Sequence, residues 1–162
     1  MEKKNVTVSA IVAAIVLIGD QLSKHWAETW LRTNGEYKIW DGVLHLRYVE
    51  NRGAAFGMMQ GGKWFFLAIT GIACAAMLYF LIKERKRLHF MMTFSLALLL
   101  SGAIGNLIDR VALGYVRDMI YVALIDFAVF NVADMAVTVG CCLLVLDLLF
   151  FKGKKYMEMM DK

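Results

Sequence analysis

The chain has 162 residues, of which 60% are hydrophobic and 20% charged, with a formal net charge of +4. Long runs without charge exclude an ordinary water-soluble domain and point to a membrane protein. The basic residues cluster beside the apolar runs, which argues against a nucleic-acid binder and for partners in or at a membrane.

In chain order, MEKKN leads into the apolar stretch VSAIVAAIVLI, and a first span is predicted over about 6–30, interrupted by Asp20 and Lys24. The same start resembles a secretory signal peptide. However, the run passes into Gly19-Asp20-Gln21 rather than a small-x-small cleavage site, so an uncleaved helix is expected. An outer connection over about 31–63 contains YKIWDGVLHLRYVEN, residues 37–51. Here Asp41-Gly42 separates two apolar runs, and Leu44, Leu46 and Tyr48 alternate with His45 and Arg47. That pattern predicts a small extracytoplasmic hairpin resting on the bilayer surface. The Gly-rich NRGAAFGMMQGGKW (51–64) reads as a loop re-entering the interface.

Residues 64–82 and 90–108 are each charge-free, close to the roughly 20 apolar residues that cross a hydrocarbon core. A second outer connection, about 109–129, leads to a fourth span over about 130–151, broken by Asp134 and Asp147. Lys3 and Lys4, the KERKR of 83–87, and Lys152, Lys154 and Lys155 then share one side, which the positive-inside rule makes cytoplasmic together with both termini. No repeat or flexible linker divides the chain. The predicted fold is an all-α membrane protein: one domain, 1–162, built as a four-transmembrane-helix bundle with a small extracytoplasmic β element. Gly71xxxAla75 and Ser101xxxGly105 place small residues one turn apart, a pattern for close helix packing.

Conspicuous polar groups collect at one depth. Asn106, Asp109 and Arg110 close the third span at its outer end, with Asn106 and Arg110 on one face. Asp134 lies about one turn inside the fourth, and Asn131 shares its face. Asp20 and Lys24 occupy the outer half of the first, while Asn51 and Asp118 belong to outer connections. Each has an ordinary explanation: an i,i+4 pair for Asp20 and Lys24, a helix cap for Asn131 and Asp134, a solvated helix end for Asp109 and Arg110. Asp147, near the cytoplasmic end, is expected to snorkel to the interface or pair locally. Intramembrane ionisable groups are nevertheless functional candidates.

Cys74, Cys141 and Cys142 lie within spans as small hydrophobes, the three histidines are scattered, and neither a metal site nor a cofactor is expected. Without a Ser-His pair, a cysteine beside a base or an HExxH motif, the carboxylates remain, Asp118 and Asp134 above all. Two carboxylates held close share a proton, and such a pair can activate water while polarising a carbonyl.

These residues resemble the bacterial lipoprotein signal peptidases, signal peptidase II. The resemblance covers nearly the whole chain through DQLSK (20–24), ENRGAAFG (50–57), GAIGNLIDR (102–110), YVRDMI (115–120) and FNVAD (130–134). It implies a membrane-embedded aspartic endopeptidase of the bacterial cytoplasmic (inner) membrane, working near the extracytoplasmic face. Such an enzyme cuts prolipoproteins just before a cysteine carrying a diacylglyceryl group, and globomycin-type cyclic peptides occupy its site. The catalytic pair maps onto Asp118 and Asp134, and supporting or substrate-binding roles onto Asn51, Gly53, Asn106, Arg110 and Asn131. Asp20, Lys24 and Asp109 take structural polar roles. Prolipoproteins and membrane lipids are the implied partners, and a monomer is expected.

Three positions depart from the family pattern. Arg117 and Met119 stand where Val and Phe are usual, and Ala128 where a proline commonly precedes FNxAD. Arg117 is expected to point to water or to a lipid phosphate. Two other readings compete: a small membrane transporter or proton channel, and a non-catalytic membrane protein that binds signal peptides. A prepilin-peptidase-like enzyme is disfavoured because Leu17 precedes Ile18-Gly19-Asp20, without the Gly-x-Gly-Asp motif.

Overall fold

A computed structural model of the chain describes residues 3–53, 62–84 and 87–151, with Lys3 and Lys4 placed by their backbone alone. Among the described residues, four helices are long and apolar enough to cross a membrane, and three short strands form an antiparallel sheet in sequence order. Helix α1 runs Lys3–Trp26 and continues through a π-helical turn, Ala27–Leu31, into a single turn, α2, Arg32–Asn34. The first span therefore extends to Asn34, beyond the predicted end near residue 30.

The hairpin expected around Asp41-Gly42 is present: β1, Tyr37–Trp40, pairs with β2, Leu44–Asn51. Gly42 takes φ 70°, a left-handed turn conformation in which a side chain would be strained. The Gly-Ala-Ala-Phe stretch read as a re-entrant loop continues past Gly53 into 54–61, outside the described residues. So do residues 85–86 and the C-terminal basic cluster.

Helices α3, Lys63–Lys83, and α4, Phe90–Ala112, make the second and third spans. α4 is the central element: it packs on α1, α3 and α5 and carries a buried face from Met92 to Asp109. Its end is set by Gly114 (φ 85°), whose N–H reaches the Arg110 carbonyl at 3.2 Å, a glycine-terminated helix end. The chain then passes directly into β3, Val116–Val122, which pairs with β2. This third strand was not anticipated. The outer connection expected over about 109–129 thus contains a strand, Val116–Val122, that completes the sheet.

Close helix approach occurs at only one of the two expected small-residue pairs. A Cβ placed on Gly105 would stand 2.6 Å from Asp20 Oδ2 and 3.2 Å from Ala133 Cβ, so α1 and α5 both press on α4 there. Gly102 meets the Ala133 carbonyl, and Gly140 of α5 meets the Ser95 carbonyl. Gly71, by contrast, has open space around the missing Cβ and Ala75 is exposed. α3 buries none of its residues fully and touches the bundle along α4, so its small pair has no helix to admit.

Asp147 is fully buried and bonds His89 Nε2 at 2.8 Å, joining the C-terminal part of α5 to the start of α4. It neither snorkels nor pairs within its own helix.

Candidate active site

Helix α5, Val132–Phe150, begins with a reciprocal cap. Asn131 Oδ1 accepts the Asp134 N–H at 3.0 Å, and Asp134 Oδ2 accepts the Asn131 N–H at 3.1 Å. This capping box satisfies two orphan amides of the first turn. It also uses one oxygen from each side chain and leaves Asp134 Oδ1 and the Asn131 amide nitrogen facing inward. The capping explanation of FNVAD is thus correct, and the free atoms make the site.

Asp134 Oδ1 accepts Asn106 Nδ2 at 2.7 Å. Asn131 Nδ2 donates to Asp118 Oδ1 at 2.6 Å and to Asn106 Oδ1 at 3.1 Å. Asp118 Oδ2 accepts Asn51 Nδ2 at 3.0 Å, while Asn51 Oδ1 holds the Gly53 N–H at 3.0 Å. One hydrogen-bonded chain therefore joins Asn51, Asp118, Asn131, Asn106 and Asp134. The elements meet because Phe130 bonds across to Ile120, its N–H to that carbonyl at 3.0 Å and its carbonyl to the Ile120 N–H at 2.8 Å. That return bridge lays the start of α5 beside β3.

Asp118 and Asp134 both line a cavity of about 510 Å³, together with Asn51, Asn106 and Arg110. Its apolar wall comes from Phe127, Phe130 and the α5 face carrying Met135 and Val137. Burial, and then the nearby Asp134 charge, lift the Asp118 carboxyl to about 7. Arg110 reaches the Gly53 carbonyl at 3.4 Å and lies over the Phe66 ring at 5.1 Å.

Behind this chain lies a buried charge cluster. Lys24 Nζ donates to Asn106 Oδ1 at 2.9 Å and stands 2.8 Å from Asp20 and 3.7 Å from Asp109. Asp20 Oδ1 accepts the Ala133 N–H at 2.9 Å, another first-turn amide of α5. Asp109 is completely buried, which corrects the solvated-end reading.

Arg117 is also a correction: its side chain is buried in contacts with the protein rather than turned outward to water or a lipid phosphate. Successive strand residues point to opposite faces, so Asp118 faces the cavity while Arg117 turns toward α1 and α4. Its Nη2 and Nε donate to the two Asp109 oxygens at 2.8 and 3.1 Å, and Nη1 donates to Glu28 at 2.9 Å. Met119, on the same strand face, packs with Ala27 and Leu31. Gln21 was missed altogether, although its amide nitrogen donates to the Gly105 carbonyl at 3.2 Å. Its place beside Asp20, one turn before Lys24, was the available signal.

The sequence profile of the family described as signal peptidase (SPase) II matches residues 12–150. The chain belongs to the signal peptidase II family. The lipoprotein signal peptidase of Streptococcus thermophilus is 47% identical over 138 residues, 85% of this chain and 90% of that protein. That of Clostridioides difficile is 43% identical over 145 residues, covering 89% and 97%. A solved bacterial membrane enzyme superposes with a TM-score of 0.81 at 36% identity, covering 88% of each chain. Signal peptidase II is a protease of bacterial membranes whose substrates are prolipoproteins, and the four apolar helices of this chain accord with that setting.

Proposed function

We propose that this chain is a membrane-embedded aspartic endopeptidase that removes signal peptides from prolipoproteins, cutting before the diacylglyceryl-modified cysteine. The observation that carries the reading is the single hydrogen-bonded chain from Asp118 through Asn131 and Asn106 to Asp134, at the wall of one cavity. In the active state one carboxyl is ionised and the other protonated. The ionised group takes a proton from a water held between them as the water oxygen attacks the scissile carbonyl carbon. The protonated group gives its proton to the carbonyl oxygen, and collapse of the diol returns a proton to the leaving nitrogen.

Asn106 and Asn131 hold the two carboxyls in register. Asn51, Gly53 and Arg110 bind the substrate backbone at the cavity mouth, and the apolar wall accommodates the lipidated segment. Asp20, Lys24 and Asp109 brace the helices behind. The basic clusters support a cytoplasmic location for both termini in the inner membrane, with the cavity opening near the extracytoplasmic face. The protein works as a monomer and is blocked by globomycin.

Purified protein incubated with a diacylglyceryl-modified prolipoprotein should release the signal peptide as a mass shift that globomycin abolishes. Asp118→Asn and Asp134→Asn should each lose cleavage by at least about a thousandfold while still unfolding cooperatively, as a folded protein does. Full activity in either variant refutes the assignment.

A further inference from the structure

A second concavity lies away from the carboxylates, between α1 and α3 with α4 as its floor. It has a volume of about 650 Å³ and is walled by Ala10, Ala13 and Ala14 of α1, Leu78 and Leu81 of α3, and Ala97 of α4, among others. Small side chains on α1 and α4 hollow it out, and α3 leans away from α1.

Its dimensions select an occupant. On α1 it extends from Val6 to Leu17 and on α4 from Thr93 to Ile104, in each case about 16 Å at 1.5 Å per residue. That is half of a hydrocarbon core of roughly 30 Å, the depth of one leaflet. A narrow apolar slot of that length, lined mostly by alanine and leucine side chains, suits an extended hydrocarbon chain. On the same two helices Ile11, Ile15, Ile72 and the lining residue Ile82 are exposed.

Of the polar side chains that line it, Ser9 and Thr93 lie toward one end, and Ser101, whose Oγ donates to the Leu98 carbonyl at 2.9 Å, toward the other. Ser9 is only 2% exposed and its Oγ has no hydrogen-bond partner among the described residues. It lines the groove one turn from the Val6 end, at the depth where an acyl ester carbonyl would sit. Beyond that end, α3 finishes in the exposed cation Lys83; the buried Glu84 follows and is paired with Arg87 at 3.4 Å. An apolar slot one leaflet deep, a buried hydroxyl without a partner among the described residues and the Lys83 cation next to the lining residue Ile82 match the tail, ester and phosphate of an anionic phospholipid.

We propose that this groove is a binding site for one acyl chain of an anionic phospholipid, with Ser9 donating to its ester carbonyl and Lys83 facing its phosphate. Its assignment to the cytoplasmic leaflet rests on the orientation proposed above; the binding itself does not.

Native mass spectrometry of the detergent-purified chain, delipidated and then titrated with phosphatidylglycerol or phosphatidylcholine, tests this. One phosphatidylglycerol should be retained per chain, with at least tenfold preference over phosphatidylcholine. Ala13→Phe, which fills the slot, should lose retention at least tenfold while still cleaving prolipoprotein. Ser9→Ala and Lys83→Ser, which leave the packing alone, should each weaken it severalfold and keep the proposal testable if Ala13→Phe does not fold. Equal retention of both lipids, unchanged retention in all three variants, or appearance of a dimer in place of the lipid adduct overturns it. Cleavage measured on the same samples separates failure here from failure of the peptidase reading.

Discussion

Asn131 serves the helix with its oxygen and the carboxylate pair with its nitrogen, and this double use explains why one residue is central to both stability and site. Asp118, by contrast, is costly. Its carboxyl is lifted from the ordinary 3.8 to about 7, first by burial. Below pH about 4 the group is protonated in folded and unfolded chains alike and contributes no pH dependence. Between about 4 and 7 the folded chain binds more protons than the unfolded one, so stability falls as pH rises and levels off above about 7. Asp118→Asn removes this dependence, so the variant's melting temperature should gain on wild type as pH is raised from 4 to 8. In wild type the shared proton leaves as pH climbs past about 7, and kcat should decline there. A flat kcat from pH 6 to 9 would contradict a proton-sharing pair.

At the scale of elements, two contacts decide how α1, α4 and β3 fit together. Arg117 clamps β3 to α4 through both Asp109 oxygens. Arg117→Ala takes the guanidinium from a fully buried carboxylate that keeps Lys24 at 3.7 Å and the residue 117 N–H at 3.0 Å, so the loss should fall at the lower end of the about 3–5 kcal/mol that breaking a buried pair costs, to be read by thermal unfolding in detergent. Gly105→Ala should also destabilise, by about 1–3 kcal/mol for overpacking, because the added methyl meets Asp20 and Ala133. Gly71→Ala should leave the melting temperature unchanged within about a degree, since its surroundings are open.

The helices and the α5 start were legible because charge-free runs and an isolated Asn-x-x-Asp stand out against apolar neighbours. Strand β3 was not. Residues Val116–Met119 are all buried, so cavity and helix sides each mix polar with apolar residues and the period of two disappears. Small-residue spacing likewise signals close approach only where a neighbouring helix exists, which Gly105 has and Gly71 lacks. Long-range partners such as Arg117–Glu28 and His89–Asp147 carry no local signature at all.

For the whole molecule, the proposed orientation puts the sheet outside and the α3–α4 turn inside. In a variant whose native cysteines are replaced, a cysteine at Lys38 should react with an impermeant maleimide on intact spheroplasts. One at Arg87 should react only after lysis. The reverse labelling pattern would place the cavity on the cytosolic face and sink the peptidase proposal.

One carboxylate arrives on a strand and the other on a helix, and the asparagines that align them come from two different helices and a hairpin. On the proposed assignment, an ectodomain cut free of its anchors would carry one carboxylate without the other and stay inert, and hydrolytic power would be confined to the lipid sheet, where stray soluble polypeptides never meet an assembled blade.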